Sequence, residues 1–238
     1  MSAPTSGLRL DLHNHTSHSA DALISPAELL EAARVRGIHC IAVTDHNSTK
    51  GGLEALAIAE TDICLPRVIP GIELATADGE IIGLYVWEDI PAGLPLLESV
   101  DRIRGQGGLV YLPHPYDVFR RGAISRSERS RAAELSDIVE VVNGRSLGPH
   151  AARKAWELAR RAGKPGGAGS DAHHEAEVGT SYVTVEAYPD RDTLVSLVAA
   201  GTIEHGRGTR GYMVNWGMQG LAPVTRLRRR LMGDLTRR

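Results

Sequence analysis

The chain has 238 residues, of which 42% are hydrophobic, 24% charged and 4% aromatic, and it carries a formal net charge of −2. Such a length and balance fit one large α/β domain or two small ones, and they exclude wholesale disorder and a collagen-like repeat. No window approaches the roughly 20 apolar residues needed to span a bilayer, and Met1 to Gly7 lack the charged and apolar regions of a secretory leader, so a cytoplasmic location off the membrane is the expectation.

Along the chain, apolar β-type runs predict strands at Leu8–Leu12, Ile38–Val43, Val68–Ile72, Ile81–Trp87, Leu109–Leu112, Ile138–Val142 and Ser181–Val185, with a shorter Gly-rich run at Pro165–Gly169. Between them lie helical patterns. The first starts at Ser25-Pro26-Ala27-Glu28, where Ser25 is an N-cap, Pro26 fits the first turn and Glu28 completes a capping box; Gly37 stops it. Similar stretches are Leu53–Glu60, Leu94–Gly105, His150–Ala162 and Asp190–Ala199, whereas residues 117–137 read as the longest irregular stretch. Strands alternating with helices predict a parallel sheet with crossover helices, and seven or eight such units favour a closed, TIM-like barrel. The two cysteines, Cys40 and Cys64, make neither a disulfide framework nor a thiolate zinc site, and Cys40 reads as a small core residue.

Charge is unevenly spread. Residues 206–238 hold eight arginines and one acid, a net +7, so residues 1–205 carry −9. The expected organisation is a catalytic barrel over 1–205 and a basic tail or appendage over 206–238. Within that tail Leu227, Leu231 and Leu235 recur four apart among Arg226, Arg228, Arg229 and Arg230, a short basic amphipathic helix that packs on its own domain or meets RNA or an anionic surface.

Residues able to hold metal fall where the predicted strands end: His13-Asn14-His15, Asp45-His46, Glu73, His114 and Asp171-Ala172-His173. Active sites of parallel barrels are built at the C-terminal ends of strands. Side chains alternate along a strand with period two, so His13 and His15 share a face, as do Asp171 and His173, and each pair can grip one ion. Mixed His, Asp and Glu ligands suit Zn, Mn or Fe ions. Five coincident strand ends outweigh the ordinary reading of a single histidine as a polar rim residue.

These residues carry a resemblance. Asp11-Leu-His-Asn-His15-Thr, Ser19-Ala-Asp21, Thr44-Asp-His46, Gly71-Ile-Glu73, Pro113-His-Pro115 and Gly169-Ser-Asp-Ala-His173 resemble the PHP (polymerase and histidinol phosphatase) superfamily over about residues 8–185, and most of all its small stand-alone phosphoesterases. The resemblance implies a distorted (β/α)7 TIM-like barrel, two or three divalent ions and phosphoester hydrolysis by a metal-bridging hydroxide. By position it implies that His13, His15, Glu73 and Asp171 hold a first metal, that Glu73 bridges to a second held with His114, and that Asp21, His46 and His173 hold a third. Many members have a histidine where this chain has Glu80, which serves as a ligand or as a polar rim residue. Asp45 and Asn143 are candidates for orienting ligands or water from behind.

After His114 come Arg120 and Arg121, then Arg126, Arg129 and Arg131. A guanidinium matches phosphate bidentately, which makes Arg120 or Arg121 the candidate phosphate clamp and leaves the other three as solvated loop residues. His18 lies close enough to the first motif to approach the site, while His39, His150, His174 and His205 read as surface or structural. The expected function is hydrolysis of a small phosphorylated substrate, a phosphomonoester or nucleotide. The alternatives are a 5′-3′ exonuclease on short oligonucleotides, an amidohydrolase-type metal-dependent hydrolase and a non-catalytic metal-binding module. Against the amidohydrolase, none of Lys50, Lys154 and Lys164 ends a strand run. The sequence specifies no oligomeric state.

Overall fold

The computed structural model describes residues 7–117, 122–146 and 149–205; Arg120, Arg121 and the basic tail 206–238 lie outside the described residues. In chain order the elements are β1 (Leu8–Asp11), α1 (Pro26–Val35), β2 (Cys40–Val43), α2 (Lys50–Ala59), β3 (Arg67–Thr76), β4 (Gly79–Leu84), α3 (Leu96–Gly105) and β5 (Leu109–Leu112). They continue through α4 (Arg129–Leu135), β6 (Ile138–Asn143), α5 (Pro149–Ala162), β7 (Gly166–Gly169), β8 (Ser181–Val185), α6 (Leu194–Ala200) and β9 (Thr202–His205). All eight predicted strand runs are present. The α1 capping box forms, with Ser25 accepting from Glu28 N and the Glu28 carboxylate accepting from Ser25 N.

One sheet runs in the order β7-β6-β5-β4-β3-β2-β1-β8-β9. It curls until the end of β1 meets β7: Leu12 N donates to Ala168 O at 3.2 Å and Asp171 N to His13 O at 2.6 Å, beyond which Asn14 bridges Ala172. Seven strands thus form a nearly closed barrel, and β8 and β9 extend it as an antiparallel flap paired to β1. Neither β8 nor β4 follows the all-parallel expectation. β4 pairs antiparallel to both β3 and β5 because only Ala77 and Asp78 separate β3 from β4, too few for a crossover helix. The stretch 117–137 is not wholly irregular either, since it contains α4, and β9 went unpredicted.

Side-chain alternation divides the apolar residues into two layers. Leu10, Leu12, Cys40, Ala42, Ile69, Ile82, Tyr111, Ile138 and Ala168 cluster inside the barrel. Ile41 and Val43 pack under α1 with Leu29, Leu30 and Ala33, while Val110, Leu112, Val139 and Val141 pack under the later helices with Val100, Ile103 and Leu158. β7 reads Gly-Gly-Ala-Gly because bulk comes from its neighbours. A Cβ at Gly167 would lie 2.7 Å from the Tyr111 ring, and one at Gly166 would lie 2.8 Å from the Trp156 ring.

Candidate metal centre

The topology sends the C-terminal ends of β1, β2, β3, β5, β6 and β7 to one mouth of the barrel, and antiparallel β4 brings Glu80, its second residue, to the same end. All eight residues expected as metal ligands meet there. Glu73 stands at the centre and is fully buried. Its Oε2 lies 3.3 Å from His13 Nε2, 3.2 Å from His15 Nε2 and 3.3 Å from His46 Nδ1, and its Oε1 lies 3.0 Å from His114 Nε2. Asp171 Oδ1 lies 3.4 Å from His15 Nε2 and 3.5 Å from His173 Nδ1. Asp21 Oδ2 lies 3.2 Å from His173 Nε2 and 3.6 Å from His46 Nε2. Glu80 reaches only the edge, 4.0 Å from His114 Nε2, with Gly122 packed against its carboxyl.

These atoms form three overlapping groups: His13 with His15 and Asp171, His13 with Glu73 and His114, and His15 with His46 and His173. The residues fit divalent ions. Ligand atoms about 2.0–2.1 Å from one ion are about 2.9–3.4 Å from each other in octahedral or tetrahedral geometry, and His13 Nε2 lies 3.1 Å from His15 Nε2. Nitrogens and carboxylate oxygens are the donor set of Zn, Mn and Fe sites. Asp21 Oδ1 is buried with no hydrogen-bond partner among the described residues, a lone pair aimed where an ion would use it.

Electrostatics agree. Burial pushes Glu73 up, but the charges of His13 and His46 and the hydrogen bond from His114 bring it well below the ordinary carboxylate range. Burial lowers His13, yet Asp171, Glu73 and Glu140 lift it well above the usual imidazole value, and Glu73 and Asp21 likewise raise His46 to about 9. His173 is held down at about 4 by burial and by the neighbouring His15 and Arg145. Without ions the site is therefore an interleaved set of imidazolium and carboxylate charges, an arrangement costly to bury for packing alone. Backbone strain is concentrated here too: His114 and Asp171 take φ of 26° and 53°, in the left-handed region that non-glycine residues rarely adopt.

Asp45 and Asn143 stand behind the cluster, where the sequence reading put them. Asp45 accepts from Thr16 N, Thr16 Oγ1 and Ser19 Oγ, and Ser19 Oγ is 3.2 Å from His15 Nδ1. Asn143 Nδ2 donates to Asp171 Oδ2 at 3.0 Å. Asp11, pushed up to about 6 by burial, accepts from Ser170 N and Ser170 Oγ, pinning β1 to the turn that carries Asp171. His18 does not join the cluster; it pairs with Glu54 at 2.7 Å near the surface. His39 accepts from Arg9 N, and Arg129 stacks on the Tyr116 ring.

Three residues that the sequence reading passed over belong to the site. Glu140, on β6, is buried between His13 and His114. Glu177 Oε2 accepts from His173 N at 2.8 Å. Arg145 follows β6, with Nη1 2.6 Å from His173 Nδ1 and 4.0 Å from Asp171 Oδ1, and its buried Nε lies 4.0 Å from Glu177 Oε1 without a hydrogen-bond partner among the described residues. Extending the strand-end rule two residues past Asn143 finds Arg145, and a lone carboxylate inside the apolar run Ile138–Val142 marks Glu140.

A barrel whose mouth gathers four histidines around one buried carboxylate defines the class: a metal-dependent hydrolase. The chain belongs to the PHP domain family, whose model matches residues 11–117, with the PHP-associated model matching 149–203. An uncharacterized Methanocaldococcus jannaschii protein is 38% identical over 179 residues, spanning 74% of this chain and 70% of its own. A Haemophilus influenzae 5′-3′ exoribonuclease is 28% identical over 145 residues, 56% of this chain and 51% of its own, so the chain spans about half of that relative. Among solved structures, a two-domain Bacteroides vulgatus protein containing a predicted PHP-like metal-dependent phosphoesterase shares the fold with a TM-score of 0.66 at 16% identity, covering 88% of this chain and 69% of its own. No helix among the described residues is long and apolar enough to cross a membrane.

Proposed function

We propose that the protein is a phosphoesterase that removes or cleaves a phosphate ester on a small phosphorylated substrate, a nucleotide or other phosphomonoester. The observation that carries this reading is the placement of the Arg145 guanidinium beside two of the three ligand groups, 2.6 Å from His173 Nδ1 and 4.0 Å from Asp171 Oδ1. Carboxylates and imidazoles alone would serve many hydrolases, whereas a guanidinium at the same mouth supplies the planar donor fork that phosphate accepts.

His13, His15 and Asp171 would hold one ion, Glu73 and His114 with His13 a second, and His15, His46 and His173 a third, with Asp21 beside the last. Bound Zn, Mn or Fe ions supply Lewis acidity, which lowers the pKa of water and offsets charge developing on phosphoryl oxygens. The chain's own residues do the rest. Glu73 reaches all three groups and sets their spacing. Asn143 and Asp45 hold Asp171 and the His15 loop by hydrogen bonds from behind. Arg145 orients the phosphoryl group, and Arg120 and Arg121 are candidates for a second cationic contact.

The kinship with a 5′-3′ exoribonuclease favours one second reading, release of nucleotides from the end of a short oligonucleotide. The test is hydrolysis by protein reconstituted separately with zinc, manganese and iron(II). The panel comprises phosphomonoesters, nucleotides, 5′-phosphorylated oligonucleotides and amide or lactone substrates. Metal-dependent release of phosphate or nucleotide is the expected result. Cleavage of amides alone, or no turnover of any phosphate ester at full metal content, would overturn the proposal.

A further inference from the structure

Glu140 sits on β6 with its side chain inside the barrel, 1% exposed. Its Oε1 lies 3.2 Å from His13 Nδ1 and accepts from the Tyr111 hydroxyl at 3.2 Å; its Oε2 accepts from His114 N at 2.7 Å and from Asn143 Nδ2 at 3.0 Å. Tyr111 is fully buried, and burial together with the Glu140 charge raises its hydroxyl well above the usual phenol range, so it remains a donor. Backbone N–H and amide NH2 can only donate. Three of the four neighbours of Glu140 are thus fixed donors, and only a carboxylate has acceptor lone pairs on both oxygens to receive them all.

We propose that Glu140 is the positioning residue of the metal centre: it fixes His13 in the tautomer that carries its proton on Nδ1, leaving Nε2 for metal. The inference rests on the metal-centre reading above and adds to it which chain group sets the ligand's orientation. His13 belongs to two of the three ligand groups, through Nε2 beside His15 and Glu73. The same carboxylate holds the His114 backbone and, through Asn143, the Asp171 side chain. One buried group therefore sets ligands drawn from β1, β5 and β7. Gly169 leaves room for it, since a Cβ there would lie 2.9 Å from Glu140 Oε1.

A glutamine of the same shape cannot replace it. With its amide NH2 toward His114 N and Asn143, donor faces donor. With its NH2 toward His13, the ring is driven to the opposite tautomer, and Nε2 loses the lone pair a metal needs. Glu140→Gln is therefore expected to weaken zinc binding about 10- to 100-fold, the usual cost of losing a partner behind a metal-ligating histidine. Zinc content and affinity are measured by competition with a chromogenic chelator, and folding by thermal unfolding of the metal-free variant. In parallel, histidine 15N spectra of the zinc-loaded unmodified protein should show His13 with a protonated, slowly exchanging Nδ1 and zinc on Nε2.

A metal bond at His13 Nδ1, or an unprotonated Nδ1, overturns the inference, and this measurement decides it even if the variant fails to fold. A folded Glu140→Gln protein with unchanged zinc affinity also overturns it while leaving the metal centre standing. Absence of zinc binding by the unmodified protein overturns both.

Discussion

Replacing Glu73 with glutamine tests the central carboxylate before any catalysis is measured. In the metal-free protein, Glu73 Oε2 faces His46 Nδ1 at 3.3 Å, a distance at which unit charges attract by about 5 kcal/mol at an effective dielectric constant of 20. The net contribution is smaller. His46 rises from an ordinary 6.5 to about 9, despite burial, through Glu73 and Asp21. By linkage that shift corresponds to about 3 kcal/mol, shared between the two carboxylates, and His13 gains from Glu73 as well. A loss of about 3 kcal/mol on Glu73→Gln is expected, or about 6–12 °C in Tm for a chain of this size. The sign with pH follows from the two shifts. Imidazoles raised in the folded state contribute stability that is fully present below about 6.5 and is lost as pH rises through about 9. Glu73 is depressed, so its contribution is present above its ordinary 4.5 and is lost as pH falls through its lower folded value. The gap between parent and variant should be widest near pH 5–6.5 and close toward pH 10. Thermal unfolding in chelator from pH 5 to 10 measures it. Equal Tm values throughout, or a gap that widens above pH 9, would refute the reasoning.

Three further outcomes follow from the same geometry. Arg145→Ala should lower kcat/KM on a phosphate ester about 10- to 150-fold, the range of one hydrogen bond to a charged group at about 1.5–3 kcal/mol, with metal content unchanged as read by elemental analysis. Zinc binding at pH 7 should release protons, because His46 at about 9 is protonated without metal; calorimetry in buffers of different ionisation enthalpy reads the number, and no buffer dependence would count against it. Cys64 is exposed and Cys40 is buried with its thiol pushed up to about 12, so a thiol reagent should label one cysteine in native protein and two after unfolding.

Most candidate ligands are legible because they follow an apolar run, and a barrel gathers such ends at one mouth. Asp21 and Glu80 were legible only through the resemblance, since one lies in a loop and the other begins a strand. What the sequence reading passed over has physical causes. Antiparallel β4 hid behind the expectation of crossover helices, although Ala77-Asp78-Gly79 leaves room only for a tight turn; Gly79 takes φ of 127° there. α4 buries little beyond Ala132 and Ala133, too weak an apolar stripe to detect. Glu140 and Arg145 act across the barrel, on partners 26 to 127 residues away, and no local pattern reports such convergence.

Gly169 joins the fold to the site, and its replacement separates two explanations for the small residues of β7. If they merely relax the backbone, Gly169→Ala should be stabilising by about 0.5–1 kcal/mol, as expected where nothing is crowded. The structure argues otherwise. A Cβ at 169 would overlap the Cβ of His13 and lie 2.8 Å from His13 N and 2.9 Å from Glu140 Oε1. Two of these three atoms belong to the backbone or its first carbon, so relief requires moving β1 away from β7. That movement strains the Leu12 N to Ala168 O and Asp171 N to His13 O hydrogen bonds, which join these strands, and it displaces His13 from Glu73. Overpacking of this kind costs about 1–3 kcal/mol, or about 2–12 °C in Tm, and it should reduce zinc affinity in the same variant. Gly105 provides the opposite control: it ends α3 with nothing within 4 Å of its missing Cβ, so Gly105→Ala should leave Tm unchanged or higher and zinc binding intact. If Gly169→Ala behaves like Gly105→Ala, the close approach of β1 and β7 does not position His13.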